Sequence, residues 1–202
     1  LGHATYYPRF GYKTGMFGSC HVQIACRDIP HQPDRLEERP VESLDIPELI
    51  SFWHTWFDDS DLALFPGQNL MGWVSHSKDT RVSVVVSNGE TLGYVRYDHG
   101  KPLKVKGFLS KDKDATNRML AYLCAKAMES GTEVMDISIH PTSRCAREWI
   151  QYPYMPVLAP WKAGMIKILD SGNEVVSRYC TEVEAGKQDV GALILPALFD
   201  AC

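Results

Sequence analysis

Two groups of residues have the side-chain types needed for metal binding or nucleophilic catalysis. Cys20, His21 and Cys26 offer metal-ligand atoms, but their spacing matches no zinc-binding pattern. Neighbouring residues of a strand also point to opposite faces of the sheet. His140 and Cys145 could be drawn as a hydrolase pair, yet no nucleophile-turn motif accompanies them. We predict structural cysteines and no metal, and keep a metal- or cysteine-dependent hydrolase as a distant alternative.

The elements that would position such residues begin with a hairpin over residues 81–98. Val82, Val84 and Val86 alternate along its first half, and Asn88-Gly89 supplies the positive φ angles of a tight reversal. A hairpin alone cannot bury its apolar face, so other elements must pack on it.

The segments after the hairpin predict a strand, a helix and another strand. Alternation over 101–109 indicates the first strand, and apolar residues at helical spacing run from Asp114 through Met128, with Ser130-Gly131 ending the helix. Residues 134–140 indicate a buried strand. A helical crossover makes the two flanking strands parallel neighbours.

A second helix is predicted after Asp45, which is a plausible N-cap. Its apolar face includes Trp53 and Trp56. Together with Trp73 and Trp149 these side chains could line a pocket, but a buried aromatic core is the favoured interpretation.

Strands are also predicted at both ends of the chain, over 20–27 and over 164–169. The second follows a proline-rich loop that contains Pro153, Pro156 and Pro160. A helix over 174–186 and an apolar run over 192–199, packed on the body of the protein, complete the chain.

Residues 6–12, YYPRFGY, resemble the aromatic-Tyr-x-basic-x-Gly-aromatic signature near the C-terminal end of N-acetyltransferases of the GNAT superfamily. The resemblance implies acetyl-CoA as co-substrate, no metal, and a small-molecule or peptide amine as acceptor. It also implies that Tyr7 is the general acid that protonates the leaving thiolate. A phenol suits this role because its acidity is close to that of a thiol.

A second unit is expected to begin near Arg39, since RPVESLDIPEL (39–49) resembles the start of a GNAT domain. We therefore expect residues 1–30 to be the terminal helix-strand piece of an upstream unit and residues 31–38 to be a linker. Residues 39–170 would form an α/β GNAT-like domain with a mixed sheet flanked by helices. Residues 171–202 would be a C-terminal extension. The strand of the first piece would pair with residues 39–170 or with another copy. The intact polypeptide would be a tandem acetyltransferase.

The turn over residues 110–118 lies where the family binds the pyrophosphate of acetyl-CoA with a Gln/Arg-x-x-Gly-x-Gly/Ala motif. This turn has no glycine, and Asp112 and Asp114 would compete with an anion for the helix N-terminus. We expect a solvated cap here, with Lys111, Lys113 and Arg118 as weak candidates for phosphate contact.

Composition narrows the range of partners. A net charge of −4 and the lack of a basic stretch argue against nucleic acid. No apolar run is long enough to span a bilayer. Six scattered cysteines fit reduced thiols, so a cytoplasmic protein is expected.

Two functions follow from these observations. The chain would be the C-terminal portion of an N-acetyltransferase that acts on an amine. Alternatively, residues 39–202 would be a non-catalytic module that closes the acceptor pocket or forms a homodimer interface.

Overall fold

The structure of the protein is a computed structural model, which describes residues 3, 5–30, 35–58, 62–63, 65–98, 103–162, 164–170, 172–190 and 193–194. The strands are β1 (Gly18–Ala25), β2 (Glu37–Arg39), β3 (Leu62–Ala63), β4 (Thr80–Ser87), β5 (Glu90–Asp98), β6 (Lys104–Ser110), β7 (Val134–Ile137), β8 (Met155–Pro160) and β9 (Leu193–Ile194). The α-helices are α1 (Ile46–Phe57), α2 (Lys113–Glu129), α3 (Arg144–Trp149) and α4 (Glu174–Glu184). No helix in these ranges has the length and apolar character needed to cross a membrane.

The predicted hairpin is confirmed as β4 and β5. Asn88 and Gly89 make the reversal with φ angles of 51° and 81°. These left-handed conformations are the ones that asparagine and glycine adopt most readily. Fully buried Val84 and Tyr94 face each other across the two strands.

The main sheet has the strand order β2-β4-β5-β6-β7-β1-β8. β6 and β7 are parallel, as the helical crossover through α2 predicted, and the other neighbouring pairs are antiparallel. β1 pairs with β7 on one side and with β8 on the other, and its Val22 and Ile24 are fully buried. The strand expected near the N-terminus therefore pairs with the 39–170 unit, which was one of the two arrangements considered. The assignment of residues 1–30 to an upstream unit stays a prediction.

Helices α1 and α2 pack on the central strands. α2 lies against β5, β6 and β7, and its Met119 sits directly over Gly93 of β5. A Cβ atom at position 93 would come within 2.7 Å of the Met119 sulfur and 2.1 Å of the Leu109 carbonyl oxygen. Glycine is therefore required for this close approach. The tryptophans predicted to lie in the core do so: Trp53, Trp56 and Trp73 are buried, and Trp149 packs against them as a partly buried residue.

The prediction of a strand over 164–169 is wrong, and so is the prediction that the proline-rich segment before it is a loop. The strand is β8, residues 155–160, while residues 164–169 contribute only an isolated bridge between Lys13 and Ile166. β8 is the last strand of the sheet, where proline is tolerated because one side of the backbone needs no partner. Pro156 and Pro160 occupy that edge.

The predicted C-terminal helix is confirmed as α4. It forms a second small core with the N-terminal segment, in which Met16, Tyr179 and Cys180 are buried. Tyr179 Oη donates a hydrogen bond to the Met16 carbonyl. Within the run 192–199, residues 193–194 pair with 62–63 as parallel strands β9 and β3, and the other positions lie outside the described residues.

A buried carboxylate on the edge strand β2 connects three strands with α2. The side chain of Glu38 is only 2% exposed. It accepts hydrogen bonds from Arg81 Nε at 2.7 Å, Tyr97 Oη at 2.9 Å, Tyr122 Oη at 3.0 Å and Lys126 Nζ at 2.7 Å. Burial opposes the charge of Glu38, but the bonds and the positive charge of Lys126 outweigh it and lower the pKa of this carboxyl.

We predict that Glu38→Gln destabilises the fold by roughly 2–4 kcal/mol, because it leaves the partner cations without their buried counter-charge. Urea-induced unfolding measures the change. Glu37→Gln is the matched control, since Glu37 is the exposed neighbour on the same strand. An equal loss in both variants would contradict a special role for Glu38.

The comparison of wild type with Glu38→Gln can also be made as a function of pH. Because the pKa of Glu38 is lower in the folded state, its contribution is complete above the ordinary value of 4.5 and disappears as the pH falls below it. The stability gap between wild type and Glu38→Gln should therefore be constant near neutral pH and narrow in acid. A gap that does not change with pH would show that the carboxylate charge is not the cause.

Candidate functional site

The sheet splits between β6 and β7. These parallel strands pair only where Lys104 and Val105 face Asp136 and Ile137, and one further bond joins Ser138 N to the Val105 carbonyl at 2.9 Å. β6 then continues to Ser110 while β7 has ended. Ligand sites in α/β sheets lie at the carboxyl ends of parallel strands where neighbours diverge. This split and the β6–α2 turn beside it therefore form the candidate site.

Aromatic side chains pack at the end of β6 that diverges from β7. The Trp56 ring meets the rings of Phe108 and Trp149 edge to face, with centroids 5.7 and 5.6 Å apart. Trp56 Nε1 also donates a hydrogen bond to the carbonyl of Ser110, the last residue of β6, at 3.0 Å. We call Trp56, Phe108 and Trp149 the aromatic cluster. It occupies the region between α1, β6 and α3 with protein side chains.

Asn117 locks the first turns of α2 to the segment that follows α3. Its Nδ2 donates to the carbonyls of Lys113 at 2.7 Å and Trp149 at 2.8 Å, and its Oδ1 accepts from Gln151 N at 2.9 Å. The side chain is buried. A single amide thus joins α2 to the end of α3.

The N-terminus of α2 is capped from within the chain. The Asp112 carboxylate accepts a hydrogen bond from Ala115 N at 2.8 Å. Thr116 Oγ1 donates to the Asp112 carbonyl at 2.8 Å and lies 2.6 Å from Ser110 Oγ. Backbone N–H groups at this position are what a phosphate would bind. Here a carboxylate takes one of them, and the residues do not fit a pyrophosphate.

The predicted phosphate contacts point away from the split. Lys111 Nζ pairs with Glu90, and Arg118 Nη2 donates to Ser87 Oγ at 2.7 Å. Both partners flank the β4–β5 turn, which lies on the opposite side of β6 from β7. Lys113 is the exposed first residue of α2. Two of the three cations therefore stabilise the hairpin end, and the cofactor role suggested for them stays untested.

Tyr7 lies in a short 3₁₀ helix, Tyr7–Phe10, that ends at Gly11 with φ of 81°. Its ring contacts Tyr6 and Tyr12 at centroid distances of 5.3 and 5.4 Å. This segment precedes β1, which is separated from β6 by β7 in the sheet. Lys167 Nζ lies over the ring of the nearby Tyr12. The structure does not bring Tyr7 together with the cations of the β6–α2 turn. Its proposed role as an acid stays a prediction.

The other polar candidates have structural partners. Cys20 Sγ donates to the Val190 carbonyl at 3.1 Å, and Cys145 Sγ to that of Thr55 at 3.3 Å. His140 Nδ1 lies 2.7 Å from Thr142 Oγ1, and burial lowers the His140 pKa. In the part of the chain that the structure describes, no three metal-ligating side chains form a group that could hold an ion.

Sequence reasoning missed Asn117. Asparagine is a poor residue for a helix interior because its amide competes for backbone partners. Its position just after the first turn of a predicted helix was therefore a signal that its side chain bonds to another segment. The identity of that segment depends on the tertiary fold.

The fold is shared with solved structures, although no protein-family model and no curated protein matches the sequence. A GCN5-related N-acetyltransferase from Kribbella flavida superimposes with a TM-score of 0.50 at 12% identity, covering 77% of this chain and 38% of that one. A GCN5-related N-acetyltransferase from Anabaena variabilis gives 0.52 at 12% identity, with 77% and 42% covered. The expected GNAT fold is confirmed. The chain spans about two fifths of the length of these two structures.

We predict that Asn117→Ala lowers the free energy of unfolding by about 1–3 kcal/mol, because it leaves the Trp149 carbonyl and the Gln151 amide unpaired. Urea unfolding measures the loss, and faster hydrogen exchange of the Gln151 amide identifies its origin. Asp114→Asn, in the same turns of α2 but with a side chain 80% exposed, is the control and should change little. An unchanged rate of hydrogen exchange at the Gln151 amide would contradict the proposed role of the Asn117 side chain.

Proposed function

We propose that this chain is part of an N-acetyltransferase that transfers the acetyl group of acetyl-CoA to an amine, and that its 39–170 domain does not bind acetyl-CoA itself. The domain would instead support the acceptor pocket or an interface of the complete enzyme. The acceptor would be a small molecule or a peptide.

The observation that carries this proposal is the closed split beside the β6–α2 turn. A GNAT-type sheet diverges here, yet the aromatic cluster and the Asn117 bonds fill the divergence with the protein's own groups. Opening it would expose buried aromatic surface and break satisfied hydrogen bonds. Both changes cost free energy that an incoming ligand would have to supply.

The surface around Tyr7 supports a role for the N-terminal segment in a larger assembly. Tyr6 and Phe10 are 54% and 51% exposed, and Tyr7 is 36% exposed. Exposed aromatic groups of this kind are typical of contact sites. We propose that an upstream unit covers them and that Tyr7 Oη donates a proton to the leaving thiolate there.

The described cysteines are free thiols, which suits a reducing compartment. This supports the further proposal that the protein is cytoplasmic.

The first prediction of this proposal concerns binding. Titration of acetyl-CoA into this chain by calorimetry should give no saturable heat in the micromolar range. An N-acetyltransferase of the same fold with an intact glycine-rich turn is the positive control under identical conditions. Saturable micromolar binding by this chain would contradict the closed split.

The second prediction concerns catalysis by a longer polypeptide that carries the upstream unit. There Tyr7→Phe should lower kcat by about 10²-fold or more, because a general acid typically contributes that much. KM for acetyl-CoA should stay the same. Tyr6→Phe removes a hydroxyl from the neighbouring ring and is the matched control. Wild-type turnover in Tyr7→Phe would remove Tyr7 from the mechanism without affecting the binding prediction.

A further inference from the structure

A cavity of about 340 Å³ lies where the 3₁₀ helix Cys26–Asp28 packs on α2. Two cysteines are among its lining residues, Cys26 directly after β1 and Cys124 in the middle of α2. Both are buried, at 3% and 2% exposure. The cavity therefore brings together two thiols that are distant in the sequence.

The two thiols belong to elements that are in contact, since the 3₁₀ helix that begins at Cys26 packs on α2. The interaction between the thiols lowers the pKa of Cys26, while this interaction and burial raise the pKa of Cys124. Cys26 Sγ also lies 3.9 Å from the Ile24 carbonyl oxygen. Of the two thiols, Cys26 therefore forms the nucleophilic thiolate more readily.

The cavity connects this pair with solvent. Its lining includes Met128, which is 44% exposed, and Arg27, whose side chain is 72% exposed. The volume is enough for a small organic molecule but not for a large one. A compact reagent can therefore reach thiols that are otherwise covered.

We propose that Cys26 and Cys124 form a reactive dithiol site that takes low-molecular-weight organic disulfides. Cys26 is the attacking thiol and Cys124 is the resolving thiol. The product is a disulfide that joins the end of β1 to α2.

The reaction balances as two thiol–disulfide exchanges. The Cys26 thiolate attacks one sulfur of the small disulfide, whose S–S bond breaks, and the first small thiolate leaves and takes up a proton. Cys124 then loses its proton and attacks the Cys26 sulfur of the mixed disulfide, which releases the second small thiol. Two protein thiols are oxidised and one small disulfide is reduced to two thiols.

The other described cysteines differ from this pair in their surroundings. The thiols of Cys20 and Cys145 donate to backbone carbonyls. Burial and the charge of Asp189 raise the pKa of Cys20 to about 11. These thiols should react slowly and serve as internal references.

The test treats the folded chain with 2-hydroxyethyl disulfide and follows intact mass and peptide maps. A Cys202→Ser background is used because Cys202 lies outside the described residues. We expect the mass to fall by two hydrogen atoms, two thiols to be lost, and one cross-linked peptide to join positions 26 and 124. First reaction at Cys20, Cys145 or Cys180, or a mixed disulfide that persists on Cys26, would overturn the proposal.

Variants separate the two roles. Cys124→Ser should stop at a stable mixed disulfide on Cys26, and Cys26→Ser should leave Cys124 unmodified. Cys145→Ser, which removes another buried thiol, should behave like the parent. Modification of Cys124 in the Cys26→Ser chain would reverse the assignment of attacking thiol.

A stability measurement gives a result that needs no variant. The cross-link closes a long loop, so the oxidised parent should unfold at a higher urea concentration than the reduced parent, and dithiothreitol should restore the lower midpoint. Identical midpoints for the two forms would overturn the proposed link.

Discussion

The double pairing of β1 is the constraint on which half of the sheet depends. β7 has only two paired positions with β6, and β8 has no other partner strand among the described residues. Both are held because β1 lies between them and bonds to each. Buried Val22 and Ile24 add their apolar area to the core at the same place. β1 therefore completes the sheet that the strands of residues 39–170 form.

The weak β6–β7 pairing and the closed split have a common basis. β6 and β7 diverge beyond their two paired positions, and divergence leaves unpaired backbone and apolar surface that must be covered. Here Trp56 bonds to the Ser110 carbonyl and Asn117 satisfies the Trp149 and Gln151 backbone groups. The covering groups are supplied by α1, α2 and α3. In this chain the divergence of the two strands is covered by the protein's own side chains.

Local signals explain which elements the sequence predicted. The hairpin has alternating valines around Asn88-Gly89, and α2 has helical spacing with Asp112 as its cap, so neighbouring residues determine both. The strand after Trp149 was missed because prolines usually exclude strands. Only its pairing with β1, a partner far away in the sequence, makes residues 155–160 extended. The Asn117 contacts and the Cys26–Cys124 cavity likewise join distant segments. Pattern analysis of one segment at a time cannot show either of them.

The position of β1 also affects how the chain acquires its structure. Val22 pairs with Ile137, more than a hundred positions later in the sequence. β1 can therefore pair with β7 only after most of the domain has been synthesised. Contacts between residues so far apart close large loops and slow folding. Until β7 and β8 are available, β1 lacks the two partners that it has in the folded sheet. The hairpin, with its local contacts, can form long before the sheet is complete.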